Sequence, residues 1–374
     1  MSRLETFLRA HLEGGRFEKH TIPLELLRDL SAIGDLVIEV AKWRYLQDHA
    51  GRARVPKGFA DTVYLSLSEI TPGSAVARID LVVSSDELFD RAEQWFERAR
   101  DSILDAITAA DQSTPILKHL PDGLLSYFNR IGRGLREHEA LVLGDRDEIR
   151  RARLTQQVRK RLVFATDQAR QYTETVTLRG YVPEADQERQ TFQMQLSDGQ
   201  RVAAGLDPAH EDIVLRAFNG YRNRTKISVE GIGVFDKANR LQRLESVDHV
   251  AELDPLDIAA RIDELRLLTN GWLDGRGTVP DRAELDWVQN LFEGHFPDQL
   301  QLPCLYPTPE GEIQAEWTMG TTEITLEIDP KSKSGNWHEY DLESGYEHSE
   351  ALELANPEAI GWVVSRIGQL QREY

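Results

Sequence analysis

With 374 residues, 40% of them hydrophobic and 29% charged, the chain is too long for one ordinary core and too apolar to stay disordered, so two to four globular domains are expected. No apolar run approaches the roughly 18 residues that span a bilayer, and the single cysteine, Cys304, excludes an internal disulfide framework or a thiolate metal cluster. The net charge of −19 favours solubility or a basic protein partner over nucleic acid.

The first residues, MSRLETFLRAHLEGGRF, are amphipathic and carry acids, unlike a signal peptide, so cytoplasmic residence is expected. Residues 23–46 read as a helix, with Pro23 in its first turn and apolar side chains at Leu26, Leu27, Leu30, Ile33, Val37, Val40 and Ala41. A half-buried strand follows, in which Val63, Leu65 and Leu67 alternate with Tyr64, Ser66 and Ser68. Pro72-Gly73-Ser74 turns it into a second strand, AVARIDLVV. Ser84 and Glu87 form a capping box for a helix running to about residue 111, with Phe89, Trp95, Phe96, Ile103 and Ile107 on one stripe. A helix at 122–131 and a strand near 139–143 complete a mixed helical and β domain over residues 1–168. Residues 146–161 (RDEIRRARLTQQVRKR) hold seven basic residues and two acids. Arg150, Arg151 and Arg159 could meet phosphate there, or the run could be a solvated helix docked on the chain's own acids.

Residues 172–252 read as strand, strand, strand, helix, strand, strand. TVTLRGYV and TFQMQL alternate, Asp198-Gly199 turns the second into RVAAGL, and a helix beginning near Pro208 precedes KISVEGIGVF and RLQRLESVDHV. That order matches a five-stranded OB-like barrel, with a small SH3-like barrel as the other reading. The ligand face of such a barrel would carry Arg179, Tyr181, Gln193, Arg201, Arg222, Arg224 and Lys226, a cation-and-aromatic set suited to single-stranded nucleic acid. Residues 172–250 nonetheless hold 10 basic and 12 acidic residues, so such binding requires the two signs to be segregated.

Residues 255–374 form a third region with 8 Lys+Arg against 23 Asp+Glu, a balance of 8 − 23 = −15. Two helices flank the glycine-rich loop GWLDGRGTVP. EIQAEW and EITLEI then make a hairpin about Met319-Gly320, followed by strands near 337–341 and 350–354 and a last helix from Asn356-Pro357. A four-stranded antiparallel sheet covered by helices is expected, giving an α+β, multidomain chain overall. Period-2 alternation puts Ile313, Ala315 and Trp317 on the core side and leaves Glu316, Glu323 and Glu327 on one polar face. Carboxylates close together across strands repel and invite a cation, so the face reads as a divalent-metal or acid/base site, or as a solvated acidic surface. His338, Asp341, Glu343 and His348 match no compact zinc spacing. Cys304, between Pro303 and Leu305, reads as a small buried hydrophobe. Asp274 in the glycine loop is explained by turn chemistry and is also a candidate contact residue. No phosphate loop, nucleophile elbow or zinc-protease helix is present.

GWLDGRGTVP, with LPCLYPTPEGEIQAEW and EITLEID, resembles a family of uncharacterised bacterial proteins that pair a W-D-G-x-G-x-x-P loop with a P-T-x-x-G-x-x-x-E-W strand. The resemblance covers residues 255–374. Its recurring positions here are Trp272, Asp274, Gly275, Gly277, Pro280, Pro307, Thr308, Gly311, Glu316, Trp317, Glu327 and Ile328, with Leu273 inserted where many relatives have W-D directly. It implies a gene of a small bacterial defence or toxin–antitoxin operon and a protein partner encoded nearby. The leading expectation is a non-catalytic accessory or regulatory binding protein with no cofactor. Its acidic C-terminal module, through Glu316, Glu323, Glu327 and Asp274, would meet a more basic protein. The alternatives are nucleic-acid binding through the barrel and the 146–161 run, and a metal-dependent hydrolase using the tail carboxylates.

Overall fold

The computed structural model describes residues 3–17, 21–57, 59, 63–71, 75–83, 92–145, 147, 149–165 and 170–373. The Pro72-Gly73-Ser74 turn, the Ser84 and Glu87 capping box and Arg146 lie outside the described residues. The fold is mixed α+β, with eight helices and three β-sheets among those described. By internal packing the chain divides into two compact units, residues 1–176 with 231–246 and residues 177–230 with 247–374.

In the first unit an antiparallel sheet runs β2-β3-β1-β4-β5. β1 (Arg3–Glu13) lies at its centre, with Leu8, Ala10 and Leu12 buried at period 2. Helix α1 (Leu24–Asp48) packs Leu26, Ile33, Val37, Val40 and Ala41 into the core, as its spacing predicts. Strands β2 (Val63–Thr71) and β3 (Ala75–Val83) form the expected hairpin. Helix α2 (Ala92–Asp111) contributes Phe96, Ala99, Ile103 and Ile107 to the same core. The helix expected at 122–131 is shorter: α3 (Asp122–Leu125) tightens into a 3-10 turn at Ser126–Asn129. After β4 (Ala140–Gly144) the basic run splits into β5 (Arg151–Leu154) and α4 (Gln156–Phe164). Thr155 caps α4 by accepting from the Val158 N–H at 3.3 Å.

Five further strands close into a ring of order β10-β8-β7-β6-β9. They are β6 (Gln171–Asp186), β7 (Thr191–Leu196), β8 (Arg201–Gly205), β9 (Ile227–Asp236) and β10 (Leu241–Glu252), with α5 (Glu211–Asn219) between β8 and β9. Val182, Phe192, Met194, Val202 and Ala204 are buried, and the alternate positions on these strands face outward.

The second unit holds α6 (Ile258–Leu265), α7 (Arg282–His295), α8 (Pro357–Glu373) and an antiparallel sheet of order β11-β12-β13-β14-β15. The sheet has five strands where the sequence predicts four. The additional one, β11 (Cys304–Pro307), ends on a proline and lies at an edge, where a missing N–H costs no ladder bond. The others are β12 (Ile313–Met319), β13 (Thr322–Asp329), β14 (Ser334–Asp341) and β15 (Glu347–Leu352). One face of this sheet packs on the helices through Ile313, Trp317, Ile324, Leu326, Trp337, Ile262, Val288, Phe292 and Ile367. The other face carries the polar side chains, half-buried to exposed, a common arrangement for an antiparallel sheet.

Candidate functional site: the polar face of the C-terminal sheet

Register fixes what that outer face carries. Gln314 lies opposite Glu327, Glu316 opposite Thr325, and Thr318 opposite Glu323. On the next strand Asn336, His338 and Tyr340 face Glu327, Thr325 and Glu323. Glu316, Glu323 and Glu327 therefore share one face as expected, but Glu316 is diagonal to the other two. Diagonal neighbours sit about 7–8 Å apart, too far for carboxylates to converge on one ion. Among the described residues no group of three or more His, Cys, Asp or Glu could hold a metal ion. Glu316 instead accepts a hydrogen bond from the Gln314 side-chain amide. The adjacent Trp317 points inward, its indole N–H donating to the Gln301 carbonyl at 3.0 Å and its ring stacked 6.1 Å from Phe296.

A carboxylate pair does form, with a partner the sequence reading left out. Glu312 shares a hydrogen bond with Glu327; burial first, then Glu327 and next Asp329 and Glu310, push its carboxyl above the usual range. The signal was available, because Glu312 has the parity of Gln314 and Glu316. Cys304 is also displaced from expectation. It is half-buried on β11, opposite Glu316 and beside Tyr306, whose phenol is pushed up first by the Cys304 sulfur and less by Glu316. His338 Nε2 lies 3.2 Å from Glu347 Oε1, and His348 Nε2 lies 3.5 Å from Glu350 Oε2. Asp341 is a turn former: it accepts from the Ser344 and Thr321 hydroxyls, the Ser344 N–H and the Thr322 hydroxyl, which hold its carboxyl far below the usual range. None of the five strands contains a lysine or arginine. Tyr306, Tyr340 and Tyr346 are 45%, 37% and 50% exposed.

Asp274 belongs elsewhere. It occupies a left-handed position (φ +50°) in the loop closed by Gly271 N–H to Gly277 O at 2.8 Å and by the Leu273–Arg276 bridge. Gly277 (φ +96°) passes under Trp272 so closely that an added Cβ would lie 2.6 Å from the indole nitrogen. The Thr278 N–H donates to the Pro309 carbonyl at 2.9 Å, and a Cβ on Gly311 would lie 3.3 Å from Thr278. The glycine loop and the Pro307–Gly311 turn thus meet each other, with Thr278, Pro309 and Gly311 at the junction.

Arg150, Arg159, Arg179 and Lys226, four of the eight cations named for nucleic acid, are engaged within the chain. Arg159 is wholly buried and donates to the carbonyls of Phe128, Asn129, Ile131 and Thr173, with burial pushing its guanidinium down to about 10. It braces a turn and is not a phosphate contact; its place on the Val158, Leu162 and Val163 stripe was the legible sign. Arg150 lies 3.7 Å from Asp101 and 3.4 Å from Asp105, Arg153 lies 3.2 Å from Glu13, and Arg161 donates to the Ala110 and Asp111 carbonyls at the end of α2. Arg151 is exposed on β5. In the second unit Arg179 pairs with Asp263 at 3.0 Å and Lys226 with Glu264 at 2.5 Å. Arg201, Arg222 and Arg224 remain exposed.

The chain matches no protein-family model, no curated protein and no solved structure. Among the described residues no helix is long and apolar enough to cross a membrane.

Proposed function

We propose that this is a non-catalytic accessory or regulatory binding protein of the cytoplasm, whose C-terminal sheet meets a more basic protein. One observation carries the reading: a five-stranded outer face with Glu316, Glu323, Glu327 and Glu347, exposed tyrosines, and no lysine or arginine on any strand. Such a face attracts a basic surface over a distance, and its tyrosines offer rings on which arginine can stack. The resemblance of residues 255–374 to operon-borne bacterial proteins supports a partner encoded nearby, in a defence or toxin–antitoxin setting. Asp274, being in a separate loop, is a peripheral contact in this scheme. The strand order of the ring, with its helix between the third and fourth strands, supports an OB-like barrel as a second module.

The test is affinity capture of the tagged chain from its host at low and high salt, with and without nuclease, followed by kinetics on the recovered protein. Reversing Glu316, Glu323 and Glu327 to lysine should slow association at least about tenfold at low salt and flatten its salt dependence. Unchanged kinetics in the triple variant would exclude this face as the binding surface.

A further inference from the structure

The outer side of the ring carries a second arrangement, independent of the acidic sheet. Tyr181 on β6 lies opposite Gln195 on β7, and Gln195 lies opposite Arg201 on β8. These three outward residues thus form a line across three strands. Beyond α5 the chain makes a 3-10 turn over Tyr221–Asn223. The Tyr221 hydroxyl donates to Gln195 Oε1 at 2.9 Å, and its ring meets Tyr181 edge-on at 6.3 Å and 89°. One hydrogen bond and one ring contact therefore fix the two aromatic side chains on this face. Tyr221 is 38% exposed, and Arg222 and Arg224 follow it, both exposed. Arg224 holds a left-handed backbone (φ +61°) that ends the turn.

The same face contains two cations already matched to anions. Lys226 Nζ lies 5.5 Å above the Tyr181 ring and 2.5 Å from Glu264 Oε1. Arg179, two residues before Tyr181, pairs with Asp263 at 3.0 Å. Asp263 and Glu264 are consecutive on α6, where Arg266 and Arg261, each 2.6 Å away, also hold them. Two adjacent carboxylates thus rest on the two cations beside an aromatic ring. That is the charge pattern of successive phosphates next to a stacked base.

We propose that this face binds a short stretch of single-stranded nucleic acid, with bases against Tyr181 and Tyr221 and phosphates on Arg201, Arg222 and Arg224, while Asp263 and Glu264 keep Arg179 and Lys226 from the ligand. Aromatic rings next to cations suit single strands because every base has a face to stack, and the phosphates need only positive charge. The slight acidic excess of residues 172–250 is no obstacle, because exposed Arg201 lies in line with Tyr181 across the strands and exposed Arg222 and Arg224 follow Tyr221.

The magnitude follows from counterion release, at about 0.7 per phosphate neutralised on a single strand. Three free arginines give a log–log salt slope of about −2, and all five cations about −3.5. Between 50 and 200 mM salt, slopes of that size correspond to affinity losses of about 20-fold and about 130-fold.

The experiment uses the full chain and a fluorescein-labelled oligothymidylate of about a dozen nucleotides, followed by anisotropy across a salt series. Wild type should bind with the shallower slope. D263N/E264Q should bind more tightly at low salt and with the steeper slope. R201A/R222A/R224A, changed only at exposed positions, should lose binding at least about 20-fold, which keeps the test informative if the α6 variant is unstable. No anisotropy change for wild type or D263N/E264Q at low salt would overturn the proposal. So would binding that the triple alanine variant retains. Equal slopes for wild type and D263N/E264Q would remove the masking role of α6. Equal competition by a polyglutamate peptide would make this an acidic-peptide site and overturn the nucleic-acid assignment. The acidic sheet is untouched by these substitutions, so the two binding readings stand or fall separately.

Discussion

Truncating Arg366 should destabilise the second unit more than truncating its ion-pair partner, Glu339. Glu339 projects from the core side of β14, where its side chain is 2% exposed, while Arg366 on α8 is 22% exposed. The pair is bidentate: Arg366 Nε meets Glu339 Oε2 at 2.9 Å and Nη2 meets Oε1 at 2.5 Å. In Arg366→Ala both carboxylate oxygens remain buried without that donor pair, a situation that costs about 3–5 kcal/mol. In Glu339→Ala the guanidinium can turn its exposed edge to water, and the loss falls to about 1–3 kcal/mol. Replacing both by leucine removes the desolvation problem and should land near neutral. Urea unfolding followed by tryptophan fluorescence reads this directly, since Trp337 packs 5.3 Å from Trp362 and 6.2 Å from Trp317 in the same core. If Glu339→Ala proved as costly as Arg366→Ala, the asymmetry argued from burial would be refuted.

The glycine loop offers a paired comparison. Gly275→Ala, at φ +82° with open space around it, should cost about 1–2 kcal/mol from the left-handed backbone alone. Gly277→Ala adds a clash with Trp272, bringing the total to about 2–5 kcal/mol in the same urea assay; equal costs would mean that the contact with Trp272 is relieved freely. In the first unit, burial pushes the Asp29 carboxyl up from 3.8 to about 6, even though its Oδ2 accepts from the Gly134 N–H at 3.2 Å. The folded state thus holds this proton more tightly than the unfolded one. Stability from this group is greatest below about pH 4 and is lost as pH rises through about 6. Asp29→Asn keeps an acceptor for Gly134 and should stabilise the unit by up to about 3 kcal/mol at pH 7 but hardly at pH 4, as thermal melts across pH would report.

How far the sequence alone reached depended on the kind of interaction. Alternation in EIQAEW and EITLEI assigns Trp317 to the core and Glu316 to solvent, because a half-buried strand repeats every two residues. The first thirteen residues defeat the same method. Leu4, Phe7, Leu8 and Leu12 suit a helix face while Leu8, Ala10 and Leu12 suit a strand face, so only pairing with β3 and β4 decides for β1. β11 is hidden by its prolines. The charge pairings were beyond reach for another reason: Arg179 and Asp263 are 84 residues apart and Lys226 and Glu264 are 38 apart, and no local pattern links such positions. A basic cluster in sequence could not be told from a cluster whose charges are already met.

That distinction also bears on the glycine-rich and proline-rich loops of residues 271–317. Several of their conspicuous residues have a geometric role at or beside the junction where Thr278 reaches Pro309. Gly277 lies under Trp272, Gly311 fits against Thr278, and Thr308 is buried with its hydroxyl accepting from the Glu312 N–H at 3.1 Å. Residues that specify a junction stabilise the module and leave its chemistry open. Positions free of that duty are Glu323, Tyr340 and Glu347 on the sheet and Arg201, Arg222 and Arg224 on the ring. They are exposed and carry no part of the core. Binding is therefore expected to run through these exposed residues, on a scaffold that the loop junction stabilises.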